Sequence, residues 1–242
     1  AFFLDDACVE GRSDVPRAGV VTGFGEHIER TASPRGSLLL FFPPFGEKPI
    51  PNVGRIATGD QPIGVFENGT AYNQGSHGFL ARALAAAGKG DMLFDVIQYM
   101  LPYNQKIHPV DRTLTAPFAV VNTWLLVPGF EGRGGRTFMT GTIAMALRAV
   151  YNWMLGIQPT LTGLAISPCL PSKLENIQAH FAYKDMRFKI TYHNTNSRDL
   201  NVQLDGEIIK PVKDNLFGKR KCVEISDEKL RTSTDKNIIV KL

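Results

Sequence analysis

The spacing of apolar residues along the chain changes character once, near residue 160. Before that point it is helical: Phe79, Leu80, Ala83, Leu84 and Ala87 fall at i, i+1, i+4, i+5 and i+8, and Gly88 follows as a stop. A second helix is predicted from Asp91, its cap, to Leu101, ended by Pro102, so that the pair reads as an antiparallel helical hairpin. The strongest pattern runs from Gly141 to Gly156, where Met139, Ile143, Ala146, Leu147, Val150, Trp153 and Met154 repeat on one face and read as core. After Gly163 the period drops to two. Strands are predicted over 164–166, 177–183, 187–193, 200–204, 221–225 and 238–242, with hairpin turns at 183–186 and 194–199.

The remaining segments are punctuated rather than periodic. Pro43-Pro44, Pro49, Pro51 and Pro62 break residues 1 to about 70 into long loops, with a short helix around 23–31 and an apolar run, 38–42, that fits a strand or a buried helix end. A further loop region, 102–136, is expected to hold a short helix near 119–126 and a Gly132–Gly135 segment too polar and flexible for a core. The chain is therefore α+β: residues 1–160 mainly helical, residues 161–242 a β-rich domain.

Composition narrows the classes. At 242 residues the chain can bury a self-sufficient core. The 27 Lys and Arg exceed the 23 Asp and Glu by four, but the excess is scattered, and Lys219-Arg220-Lys221 is flanked by acidic residues, so nucleic acid is an unsuitable partner. No apolar run approaches a membrane span, and a cytoplasmic, soluble chain is expected. Cys8, Cys169 and Cys222 are widely spaced and odd in number, which implies at least one free, buried thiol. No His spacing among His27, His108, His180 and His193 suits a metal, and neither metal nor cofactor is expected. The opening Ala1-Phe-Phe-Leu-Asp-Asp, without Met, fits a processed or truncated chain.

Candidate chemistry gathers at two helix starts. Glu67-Asn68-Gly69 and Tyr72-Asn-Gln-Gly-Ser-His-Gly78 form a polar, glycine-punctuated entry to the first helix. Thr140-Gly141-Thr142 enters the strongest one. Helix N-termini present unpaired N–H groups and the positive end of the backbone dipole, which suit anions and hydroxyls. Each start alone is better read as ordinary capping, by Asn73, Gly75 and Ser76 in the first and by Thr140 in the second. Two in one chain suggest a shared ligand. Phe118, Trp124 and Trp153 are the rings available for sugar stacking, with Trp153 better placed as core.

The ordered strings Phe41-Phe-Pro-Pro-Phe45, Gly64-Val-Phe-Glu-Asn-Gly69, Tyr72-Asn-Gln74, Thr140-Gly-Thr-Ile-Ala144, Met154-Leu-Gly-Ile-Gln-Pro159 and Leu161-Thr-Gly-Leu-Ala-Ile-Ser-Pro-Cys-Leu-Pro171 together resemble the C-terminal part of glycoside hydrolase family 94. This is a family of inverting disaccharide and oligosaccharide phosphorylases. The resemblance covers roughly residues 35 to 195 and is most specific in its last two strings. It implies the later helices of an (α/α)6 toroid followed by a C-terminal β-sandwich-like domain, and inorganic phosphate as co-substrate with an oligosaccharide. It also implies sugar binding by Glu67 and Asn68, and phosphate binding by Thr140, Gly141 and Thr142, with Gln74 or His77 beside them. Gln74 stands where the family commonly has a phosphate-binding His. The family's general acid Asp would fall before Ala1, so this chain is expected to lack the proton donor and to need the preceding part of the same enzyme; a homodimer is an admissible assembly.

The expected reaction is phosphorolysis of β-glucosides or β-gluco-oligosaccharides, with a β-1,2 linkage preferred on the Tyr-Asn-Gln variant. A hydrolase or transglycosylase on the same toroid is the first alternative, and a non-catalytic sugar-binding module the second.

Overall fold

The structure, a computed structural model, describes residues 68, 70–127, 129–214 and 220–242. Glu67, Cys8, His27, the 23–31 helix, the 38–42 run and the Phe41–Phe45 string lie outside the described residues, as do the side chains of Ser76 and Thr140. The described residues fall into two compact units: one of 68–82 with 95–149, the other of 83–94 with 150–242.

The first unit is built on a small sheet and the helices entered from it. Strand β1 (Ala71–Tyr72) leads into a π-helical segment, Asn73–Phe79, which continues as α1 (Leu80–Ala86). Then come α2 (Gly90–Met100), the short α3 (Val110–Thr113), β2 (Val121–Trp124), β3 (Gly134–Thr137) and α4 (Thr140–Arg148), with residues 83–94 of α1 and α2 counted in the second unit. The predicted helix near 119–126 is thus a strand. All four residues of β2 are buried, and β1 and β3 pair with it on its two sides, so no alternation marks it and β-branched Val121 and Thr123 take the extended form.

The Gly132–Gly135 segment lies outside the core, as expected, with none of its residues buried. It leads into edge strand β3, and its glycines answer to space as much as to flexibility. A Cβ on Gly135 would lie 2.6 Å from the Thr123 hydroxyl, and one on Gly134 2.8 Å from Val121 Cγ1.

The second unit carries the β-rich part. After the π-helical Ala149–Met154 come β4 (Ile157–Pro159), β5 (Gly163–Ile166), β6 (Asn176–Tyr183), β7 (Met186–His193), β8 (Asn201–Leu204), β9 (Glu207–Ile208), β10 (Val212–Asp214), β11 (Lys221–Ser226), α5 (Asp227–Thr232) and β12 (Asn237–Lys241). They form a four-stranded sheet, β10-β11-β5-β4, and a five-stranded one, β6-β7-β12-β8-β9.

The predicted turn at 183–186 is a true hairpin, with Tyr183 opposite Met186 and Lys184 at φ 53°. The one predicted at 194–199 is not. It joins β7 to β8, which are separated by β12, and β12 runs parallel to β7 and antiparallel to β8. Inward-facing Phe188, Ile190 and Tyr192 alternate with exposed Arg187, Lys189 and His193 along β7, each large apolar side chain contributing about 1.5–3 kcal/mol on burial. Tyr192 also donates its hydroxyl to the Leu155 carbonyl at 2.6 Å, and Tyr183 reaches across to the Gly163 carbonyl of the other sheet at 2.9 Å. Cys169 is a free, buried thiol whose pKa burial pushes up. Among the described residues no helix is long and apolar enough to cross a membrane.

Candidate active site at two helix mouths

Strand β2 is the common support of both helix starts in the first unit. From one side, Asn73, fully buried at the head of the π-helical segment, donates its side-chain amide to the Val121 carbonyl at 2.7 Å. From the other, Thr142 in the first turn of α4 donates its hydroxyl to Asn122 Oδ1 at 2.5 Å, and both residues are buried. A π-helical turn widens the backbone spiral and is common where a helix bears a functional residue.

The two mouths meet at Gln74 and Gly141. A Cβ built on Gly141 would lie 2.7 Å from Gln74 Oε1 and 2.9 Å from both Cδ and Nε2. The Gln74 carboxamide therefore lies against the Gly141 backbone, close enough that a side chain at 141 would have to displace it. These residues are 67 positions apart in sequence.

Neither mouth is closed by its own sequence. The residue preceding the π-helical segment is Tyr72 and that preceding α4 is Met139; neither gives a side-chain capping hydrogen bond, and neither first turn holds an acidic residue. Capping of α4 by Thr140 is accordingly corrected, since Thr140 is the first helical residue rather than the cap. The first intrahelical bond of α4 runs from Ile143 N to Met139 O, so the N–H groups of Thr140, Gly141 and Thr142 lie ahead of the helical ladder.

Behind the mouths is a neutral aromatic and imidazole layer. His77 Nδ1 lies 2.8 Å from Asn73 Oδ1. Because the Asn73 amide nitrogen is committed to a carbonyl, its Oδ1 accepts, and His77 must carry its proton on Nδ1. Complete burial, with a smaller contribution from nearby His108, lowers the His77 pKa to about 3. His108 Nε2 faces the Tyr99 carbonyl at 2.9 Å and so is the protonated nitrogen, and the ring stacks on Trp124 with centroids 3.9 Å apart. Burial, opposed by the Tyr99 carbonyl and aided by Arg112, brings its pKa down to about 4. Trp124 Nε1 donates to the same carbonyl at 3.0 Å, and the Tyr99 ring stacks toward His77. At neutral pH both histidines are uncharged.

Of the residues singled out by sequence, Gln74 and Gly141 touch, and Asn68, His77 and Thr142 are buried. His77 and Thr142 have their protons directed to Asn73 and Asn122. Glu67 lies outside the described residues. Of the three rings considered for stacking, Trp124 and Trp153 are buried and Phe118 is 81% exposed. Asn122 was not anticipated; its one sequence signal is a lone amide within the apolar run Ala119-Val-Val-Asn-Thr-Trp124, where a buried polar side chain needs a partner. Among the described residues no group of three or more His, Cys, Asp or Glu could hold a metal ion.

No protein-family model matches the chain. Among curated proteins it is 32% identical over 183 residues to solabiose phosphorylase of Paenibacillus borealis, covering 73% of this chain and 23% of that protein. It is 31% identical over 186 residues to 3-O-beta-D-glucopyranosyl-beta-D-glucuronide phosphorylase of the same organism, covering 74% and 23%. Cellobionic acid phosphorylase of Neurospora crassa is 25% identical over 175 residues, covering 71% and 22%. The chain belongs to glycoside hydrolase family 94. It spans less than a quarter of the length of these relatives.

Proposed function

We propose that these 242 residues supply sugar- and phosphate-facing elements of an inverting glycoside phosphorylase acting on a β-linked disaccharide or oligosaccharide. The observation that carries the reading is the meeting of Gln74 with Gly141 between two helix mouths that lack side-chain caps and first-turn acids. Phosphorylase names on the relatives give the reaction class. In this reading the first-turn N–H groups of Thr140, Gly141 and Thr142 and the Gln74 amide hold phosphate. Glu67 and Asn68 bind sugar hydroxyls. His77 and the Thr142 side chain shape the site from behind.

The reaction is a single displacement. A phosphate oxygen forms a bond to the anomeric carbon as the bond to the glycosidic oxygen breaks, and the leaving oxygen takes a proton from a carboxylic acid. Products are a sugar 1-phosphate of inverted configuration and the released sugar. That acid belongs to another part of the full-length enzyme, as do the earlier helices of an (α/α)6 toroid, of which α1, α2 and α4 would be later members. The 161–242 region would be its β-sandwich-like companion, in a cytoplasmic enzyme.

Neutral N–H and amide donors suit a dianion that must leave each cycle as sugar phosphate. They bind it through the helix dipole and hydrogen bonds without a fixed countercharge. The test is release of sugar 1-phosphate from β-linked gluco-disaccharides, β-1,2 among them, by the full-length protein with and without phosphate. Product formation should require phosphate; equal turnover in phosphate-free buffer would establish a hydrolase or transglycosylase instead.

A further inference from the structure

The geometry points to Asn122 and Asn73 as positioning residues that use strand β2 as a ruler, setting how the Gln74 amide is aligned with the N–H groups ahead of α4 and hence the fit to phosphate. The inference rests on the proposed phosphorylase reading and adds residues that the family resemblance did not assign.

Three observations converge. First, adjacent residues of one strand hold the two mouths: the Val121 carbonyl accepts from Asn73, and the Asn122 side chain accepts from Thr142. Second, all four residues of that strand are buried, Val121 pairs with β3, and Thr123 and Trp124 pair with strands on both sides, so the strand is a well-held reference. Third, the two mouths already touch, the end of the Gln74 side chain lying against Gly141, so the strand sets how the Gln74 amide is aligned with the N–H groups ahead of α4. A shift of either helix start therefore changes the alignment of the phosphate-facing donors directly. The chemistry also points to spacing rather than contact, because Asn122 and Asn73 are 5% and 0% exposed and their hydrogen bonds are made internally.

The discriminating experiment uses the full-length enzyme carrying Thr142→Val, which replaces the hydroxyl by a methyl of nearly equal size, beside Thr142→Ser, which keeps it. Steady-state kinetics are measured with phosphate varied and then with disaccharide varied. We expect KM for phosphate to rise about tenfold in Thr142→Val, in keeping with the cost of a sub-ångström misplacement. KM for the disaccharide should stay within about twofold, and Thr142→Ser should fall close to wild type. Asn122→Ala should reproduce the phosphate effect, and the double variant should be no worse than either single one, since one bond is lost in each case.

An unchanged phosphate KM in Thr142→Val overturns the proposal, as does an equal rise in both KM values or additive losses in the double variant. If Thr142→Val does not fold, Asn122→Ala decides by the same criteria. A wild-type enzyme that turns over without phosphate refutes the phosphorylase reading itself, whereas a phosphate-dependent wild type with an indifferent Thr142→Val refutes only the ruler.

Discussion

The two buried histidines make acid a specific probe of the first unit. In an unfolded chain each titrates near 6.5; in the folded protein their pKa values are about 3 for His77 and about 4 for His108. Between the folded and unfolded values the unfolded state binds more protons, so stability falls as pH falls. It is fully present above about 6.5 and drains away toward the folded values. At pH 5 each histidine costs about 2 kcal/mol relative to pH 7, and the pair about 4 kcal/mol. That is a large part of the 5–15 kcal/mol by which domains are usually stable.

The assay is urea unfolding at pH 7, 6 and 5, followed by the change in midpoint at constant m-value. His108→Gln can still donate to the Tyr99 carbonyl, and it should remove about 2 kcal/mol of the pH 7-to-5 loss while leaving the rest. His180 and His193 are exposed and remain in both proteins. Carboxylates with depressed pKa, such as Asp227 beside Lys184 and Tyr183, lose their contribution only below the usual Asp range, outside this window. A pH 7-to-5 loss below about 1 kcal/mol in wild type would refute the argument. So would a His108→Gln variant with the full wild-type loss.

Other outcomes follow from single contacts. Gly141→Ala should raise KM for phosphate about tenfold or more in the full-length enzyme while moving Tm by no more than a few degrees, because its new methyl meets the movable end of Gln74; an unchanged KM would remove Gly141 from the site. Tyr192→Phe leaves the buried Leu155 carbonyl without its hydroxyl donor and should destabilise by about 1–2 kcal/mol in urea titration. Gly135→Val forces β2 and β3 apart at the Thr123 hydroxyl and should cost at least about 1–3 kcal/mol, read as a lowered melting temperature.

The parts of this fold legible in sequence are those set by local period. Strand β7 alternates because one face is buried; of the stripe along α4 and its π-helical continuation, Ala146, Trp153 and Met154 are buried, whereas Met139 and Leu147, read as core, are exposed. Strand β2 was misread because burial on both faces erases alternation and leaves a four-residue apolar run that a helix would equally show. The 194–199 turn was misassigned because insertion of β12 between β7 and β8 is a pairing of residues some 40 positions apart, invisible to local pattern. The π-helical start at Asn73 has no signal in the apolar spacing, which begins at Phe79 and is left intact by the wider turn before it. At the site, sequence marked Gln74 and Gly141 separately, and only the fold put them in contact.

That contact changes how the Gln74 substitution should be understood. Under the proposed function, a histidine in its place would bring an ionisable group to the phosphate, whereas Gln74 would bring a donor whose charge does not vary with pH. The two histidines behind the site do not restore a charge, since burial keeps both neutral well below physiological pH, and His77 keeps its Nδ1 proton on Asn73. In the proposed reading these residues would attract phosphate through orientation, by way of N–H groups ahead of the α4 ladder and one amide lying against Gly141. Orientation is also what β2 secures. On the proposed reading, binding that relies on the alignment of neutral donors is sensitive to any movement of the strand that carries the two mouths.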